Sequence, residues 1–118
     1  MEPFWVQFPD LHPFSIGWRM GPAESARYAF WDWWTASDEA RTEESRIEFV
    51  RSWPMRPCWS HVAIEMIWPD EVDPELMVFF EDDHVEQRRR LFAKAKAIGL
   101  SGEDEWLRDL DDAAWGDQ

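Results

Sequence analysis

After residue 20, apolar residues recur three and four positions apart over most of the chain, a spacing that predicts helices. The first should run over 22–36, because Pro22 suits a first helical position after Gly21. Ala26, Ala29, Phe30, Trp33 and Trp34 then share one arc, with Tyr28 and Trp31 opposite, beside Glu24 and Thr35. The second begins near Ser37 and Asp38 or at Thr42 and stops before Pro54, with Ile47, Phe49, Val50 and Trp53 spread over a broad arc. The third covers 57–68, with Trp59, Val62, Ala63, Met66 and Ile67 as its core stripe and His61, Ile64 and Trp68 on the other side. The fourth covers 83–98, buries Val85, Leu91, Phe92, Ala95 and Ile98, and is closed by Gly99. Ser101 is placed to cap the fifth. In it Glu103 and Asp104 suit the positive end, Trp106, Leu107, Leu110, Ala113 and Ala114 share a face, and Gly116 ends the run.

Two stretches depart from this period. In residues 1–20, Pro3, Pro9 and Pro13 oppose a helix, while Phe4, Val6, Phe8 and then Phe14, Ile16, Trp18, Met20 alternate with other residues. That pattern fits a hairpin turning at 9–13 or an irregular extended arm. The apolar run 76–80 follows an acidic turn at 69–74; it reads either as a buried strand or as a helical turn begun by Asp73 and Pro74. The predicted fold class is therefore mostly α: a compact bundle of about five helices over 21–118, behind an N-terminal extended arm or short β-hairpin over 1–20. Together they make one domain, 1–118. Phe30, Trp33, Trp34, Trp59, Met66, Trp106 and Leu110 are its expected core.

Composition supports a packed core, since 118 residues include 45% apolar side chains, with 10 Trp and 8 Phe. Charge narrows the partners. There are 25 acidic and 12 basic residues, for a net charge of −13. Residues 1–64 hold 9 acids and 6 bases, whereas residues 65–118 hold 16 acids and 6 bases. Such a surface repels nucleic acid and anionic membranes, so direct binding to either is not expected. No apolar run approaches the roughly 18 residues of a membrane span. The start Met1-Glu2-Pro3-Phe4-Trp5 lacks a basic, then apolar, leader, and the lone Cys58 suits a reducing compartment. A cytoplasmic location is expected.

Candidate chemistry is sparse. Cys58 and His61 have ligand-like spacing and could also pair as nucleophile and base, but only His12 and His84 remain to complete a four-ligand site. Glu81 and His84 form half of a di-iron carboxylate motif without its partner half. Asp70, Asp73 and Glu75 have neither the spacing nor the central glycine of a calcium loop. The five glycines are scattered, and no phosphate loop or dinucleotide fingerprint can be read. In Arg88-Arg89-Arg90, Arg88 projects into the apolar stripe, so it should be partly buried and paired with a carboxylate. Neither metal nor cofactor is expected, and the chain is not read as an enzyme.

What remains is surface recognition. Tyr28, Trp31, Trp68 and Trp115 fall off the core stripes, and aromatic side chains anchor interfaces because they bury large area with few rotors. The expected partner-binding residues are Tyr28, Trp31, Trp68, Asp70, Glu71, Asp73, Asp82 and Asp83, facing a basic protein. In size, acidity and Trp content the chain resembles the bacterial toxin-immunity proteins, with Pro13-Phe14-Ser15-Ile16-Gly17-Trp18-Arg19-Met20-Gly21 and Phe30-Trp31-Asp32-Trp33-Trp34 as its distinctive stretches. The resemblance is one of composition and carries over no site residue. It implies a protein-binding inhibitor that occludes a basic cleft of a cognate toxin. An alternative is an acidic DNA mimic of the anti-defence kind carried by phages and plasmids. A second alternative, a small enzyme or metal protein, requires His61 and His84 to converge with carboxylates in a cleft.

Overall fold

The computed structural model describes residues 1–72 and 82–112, the side chain of Asp82 excepted. They form six α-helices joined by short 3-10 turns: α1 Phe4–Gln7, α2 Gly21–Ala36, α3 Glu43–Arg51, α4 Ser60–Ile67, α5 Val85–Ala97 and α6 Glu103–Leu110. The expectations for 76–80, Ala113, Ala114, Trp115 and Gly116 lie outside the described residues. The protein is mostly helical, and among the described residues there is no strand.

The N-terminal arm or hairpin is corrected. Pro3 sits at φ −65° and ψ 152°, a ready-made entry to α1, and its carbonyl accepts from Val6 N–H and Gln7 N–H. Positions 4 and 8 fit a helical period as well as an alternating one; Trp5 decides, being buried next to buried Phe4. In the second stretch Ser15 caps a 3-10 turn over Ile16–Arg19, its hydroxyl accepting from Gly17 N–H at 3.0 Å. Only Trp18 of the alternating set turns inward, held by its indole N–H donating to His12 C=O at 2.9 Å. Phe14, Ile16 and Met20 stay 55–59% exposed.

The helices after residue 20 follow the hydrophobic period. In α2, Gly21 takes φ +66°, where a Cβ would be strained, and Pro22 opens the first turn. Thr42 caps α3: its hydroxyl accepts from Ser45 N–H at 3.1 Å while Ser45 Oγ accepts from Thr42 N–H at 3.2 Å. Phe49 of α3 meets Trp33 and Trp34 of α2 at ring distances of 5.5 and 5.1 Å. A turn over Pro57–Trp59 leads into α4. That helix departs from the expected single stripe, because His61, Ile64 and the following Trp68 are as buried as the opposite face. It is the central helix: every residue from Ser60 to Ile67 except Glu65 is buried.

α5 ends at Gly99, φ +95°, in a Schellman arrangement: Leu100 N–H donates to Ala95 C=O and Gly99 N–H to Lys96 C=O. For α6 the expected cap Ser101 is replaced by Gly102, whose N–H donates to the Glu105 carboxylate at 2.6 Å. Trp106 faces the core, whereas Leu107, expected on the same face, is exposed. The buried side chains form one continuous cluster from Phe4 to Trp106. Of the expected core, Phe30, Trp34, Trp59, Met66 and Trp106 are buried; Trp33 and Leu110 pack against it half-buried. The radius of gyration is 14.0 Å, close to the roughly 13.5 Å of a compact chain of this length. Among the described residues no helix is long and apolar enough to cross a membrane.

Arg88 is paired as expected. Its Nε lies 2.5 Å from Glu103 Oε2, its side chain is 16% exposed, and its guanidinium sits 5.9 Å from the Trp106 ring centroid. Arg89 and Arg90 point to solvent. Arg88→Ala should lower stability by about 1–3 kcal/mol, because it leaves Glu103, whose side chain is 17% exposed, with only the longer contact to Arg89 at 3.8 Å. Arg90→Ala should stay within about 0.5 kcal/mol. Urea melts of the two variants check this; equal small effects would show the pair contributes nothing.

Candidate functional site

Of the expected partner-binding residues, Asp73, the side chain of Asp82 and the off-stripe Trp115 lie outside the described residues. Tyr28 projects from α2 into solvent, 56% exposed, with the Arg27 guanidinium 4.8 Å from its ring centroid. Trp31, one turn nearer α1, is half-buried, its ring 6.2 Å from Phe4 and 5.8 Å from Phe30. Asp70 is exposed on the turn Pro69–Glu71, and Asp83 is exposed on the turn Asp82–His84 that leads into α5. Glu71 is half-buried, 2.5 Å from Lys94 Nζ, and its carbonyl accepts from Gln87 Nε2 at 3.0 Å. The turn carrying Asp70 is thus tied down on α5, the helix that Asp83 precedes. Tyr28 and Trp31 ride on α2, and of the two Trp31 meets Phe4 of α1.

Trp68 is corrected as a surface anchor, since it is only 6% exposed. Its indole N–H donates to the Glu43 carboxylate, and Lys94 Nζ stands 4.5 Å from its ring centroid. It lies just past the end of α4, where the helical projection no longer applies. The alternating pattern gave no burial for Phe14, Ile16 and Met20, and the fold holds all three in solvent. Pro13 and Gly17 interrupting that alternation were the available signal.

The polar groups inside the fold gather where α6 meets the 57–61 segment and residue 12. Asp109 is 10% exposed; it accepts from Cys58 N–H at 2.9 Å and makes a two-pronged pair with Arg56, which also reaches Asp112 at 3.2 Å. Burial acts to raise the Asp109 carboxyl, but its bonds from Arg56 and Cys58 outweigh that and hold it below the usual value. The same bond to Asp109 raises Arg56. Burial, then the Asp109 carboxylate, pushes the Cys58 thiol up, so Cys58 is held protonated and is a poor nucleophile.

Trp106 N–H donates to His61 Nδ1 at 2.9 Å. Because an indole only donates, His61 carries its proton on Nε2. Burial lowers its pKa to about 4. By the same reasoning His12 accepts from Phe14 N–H on Nδ1 at 3.0 Å and donates from Nε2 to Leu110 C=O at 2.9 Å. These two neutral imidazoles fasten α6 to the rest of the molecule. Among the described residues no three His, Cys, Asp or Glu side chains gather closely enough to hold a metal ion. No family model, no curated protein and no solved structure matches the chain.

Proposed function

We propose that the protein is a protein-binding inhibitor, an immunity protein that occludes the basic cleft of a cognate bacterial toxin. The observation that carries this reading is a net charge of −13 combined with large apolar side chains held in solvent, namely Tyr28, Phe14, Ile16 and Met20. Exposed carboxylates steer a basic partner and raise its association rate. Exposed aromatics then supply the slow dissociation that solvated charge does not. Asp70 and Asp83 belong to the steering surface and Tyr28 is the anchor. Trp31 supports it from below, with part of its ring already committed to Phe4 and Phe30. The chain acts by binding, with no turnover of its own.

The test is kinetic, against the protein encoded by the adjoining gene. Wild-type protein should bind it one to one and restore growth of cells that express it. Changing Asp70, Asp73, Asp82 and Asp83 to Lys should slow association several-fold at low salt and much less at high salt, where charges are screened. Tyr28→Ala should speed dissociation about 10-fold or more with the fold intact. Association unchanged by charge reversal at low salt would reduce the acidic face to a solubility device and overturn the reading.

A further inference from the structure

Where the end of α3 meets the link between α5 and α6, three polar side chains lack a protein partner. Arg51 is the last residue of α3, Ser60 the first of α4, and Ser101 precedes α6. None of the three makes a side-chain hydrogen bond or ion pair among the described residues. Ser101 is the residue expected to cap α6; Gly102 takes that place and leaves the Ser101 hydroxyl unused. All three line one hollow of about 320 Å³. The Arg51 guanidinium stands beside Gly99 on its wall: a Cβ on that glycine would lie 3.9 Å from Nε and from Nη2. Ser60 is only 1% exposed. Its oxygen is nonetheless not sealed, because among the described residues the fully buried side-chain atoms without a partner belong to Trp5, Arg27 and Trp59. The trace of surface that Ser60 keeps therefore includes Oγ. The other side chains of the wall, Val50, Trp53, Met55 and Leu100, are apolar.

We infer that this hollow binds a small monocarboxylate with an apolar body, the carboxylate held by Arg51, Ser60 and Ser101 and the body laid against Trp53 and Met55. The inference goes beyond the protein-binding function proposed above and does not rest on it. Four features select the occupant. A guanidinium is a planar fork that matches a carboxylate with two parallel bonds, and this one is not matched from within the protein. Glu48, one turn earlier on α3, is the acid placed to compete for it, yet it forms no ion pair with Arg51 among the described residues. A buried hydroxyl without a partner is costly, and an acceptor that reaches Ser60 recovers that cost. The wall carries one cation and no second Lys or Arg, in a chain of net charge −13, which favours a single negative charge over a phosphate dianion or a polyanion. The volume lies near the lower end of ligand pockets, roughly 300–1,000 Å³, so the occupant is a small molecule. Because α3, α4 and the α5–α6 link all contribute to the wall, a bound ligand ties them together.

The ¹⁵N-labelled full chain reports on this through the Arg51 Nε–H and Trp53 indole signals, assigned with Arg51→Gln and Trp53→Phe. The probe is 3-phenylpropanoate. Its amide, 3-phenylpropanamide, is the uncharged control, and inorganic phosphate is the control for a bare anion. The probe should move both signals in a saturable way, leave the Trp18 and Trp106 indoles in place, and raise the melting temperature with its concentration. Arg51→Gln should weaken binding about 10-fold or more, and Ser60→Ala about 5-fold. Neither side chain bonds to the rest of the protein, so both variants should melt as the wild type does; a purely structural role would leave binding unchanged. Three results would overturn the inference. The first is no saturable shift at millimolar probe. The second is equal affinity for the amide, which makes the hollow a merely apolar recess. The third is equal affinity for phosphate, which makes Arg51 the seat of an adventitious ion only.

Discussion

Phe4→Ala should cost about 3–5 kcal/mol, the usual range for emptying a buried Phe site, and lower the melting temperature by about 10–20 °C. Phe4 is 2% exposed and its ring is met by Trp5, Trp18, Phe30, Trp31 and Trp59 at 5.3, 5.3, 5.5, 6.2 and 5.7 Å. Those rings come from α1, the turn after it, α2 and the turn before α4, so one side chain joins four parts of the chain. The cavity left by Ala cannot close without moving several stiff rings. Phe14→Ala is the matched control, because Phe14 is more than half exposed and should cost under about 1 kcal/mol. If residues 1–20 were an arm lying on the body, the two substitutions would cost alike. Denaturant melts decide between these, and equal costs would reject α1 as part of the core.

The same residues show why the N-terminal segment was hard to read. Phe4 and Phe8 satisfy both an alternating and a helical spacing, and three prolines argue against regular helix. The segment instead folds as one short helical turn and one 3-10 turn, each too short to display a period. Helices α2, α3, α5 and the start of α6 were legible because Pro22, Thr42, Gly99 and the acids at 103–105 mark their ends while the apolar period fills them. α4 was legible in extent but not in burial. Its projection separates two faces, yet a central helix is covered on both, so His61 and Trp68 went inside without any local signal. The acidic half of the candidate site was legible as charge. Its apolar half was only partly so: Tyr28 falls off the core stripe and is exposed, while Phe14, Ile16 and Met20 are exposed without being among the expected partner-binding residues. Tertiary packing decided those three, through Trp18 docking on His12.

Acid should weaken the fold in a specific window. Burial depresses the His61 pKa from 6.5 to about 4 in the folded protein, so between these values the unfolded chain binds the proton that the folded chain refuses. Stability contributed by the neutral imidazole is complete above pH 6.5 and is lost as pH falls toward 4. At 1.36 kcal/mol per unit, the loss is about 3 kcal/mol. The structural cause is direct: protonating Nδ1 would set a donor against the Trp106 N–H that now donates to it. His12 faces His61 and adds to the penalty when charged. Asp109 acts in the same direction but lower in pH, since its folded pKa lies below the usual carboxylate value and its contribution is lost only under about pH 3.8. Glu65, raised by burial, opposes the trend because its protonation relieves a buried charge. Protonation of surface carboxylates relieves repulsion in a chain of net charge −13 and opposes it too. His61→Asn separates these contributions, because its Oδ1, attached at Cγ as Nδ1 is, stands where Trp106 N–H donates yet cannot titrate. Urea melts at pH 7, 5.5 and 4.5 should show wild type losing stability relative to His61→Asn as pH falls, with the difference approaching about 3 kcal/mol near pH 4. Parallel losses in both proteins would assign the acid sensitivity to carboxylates and leave His61 with a packing role alone.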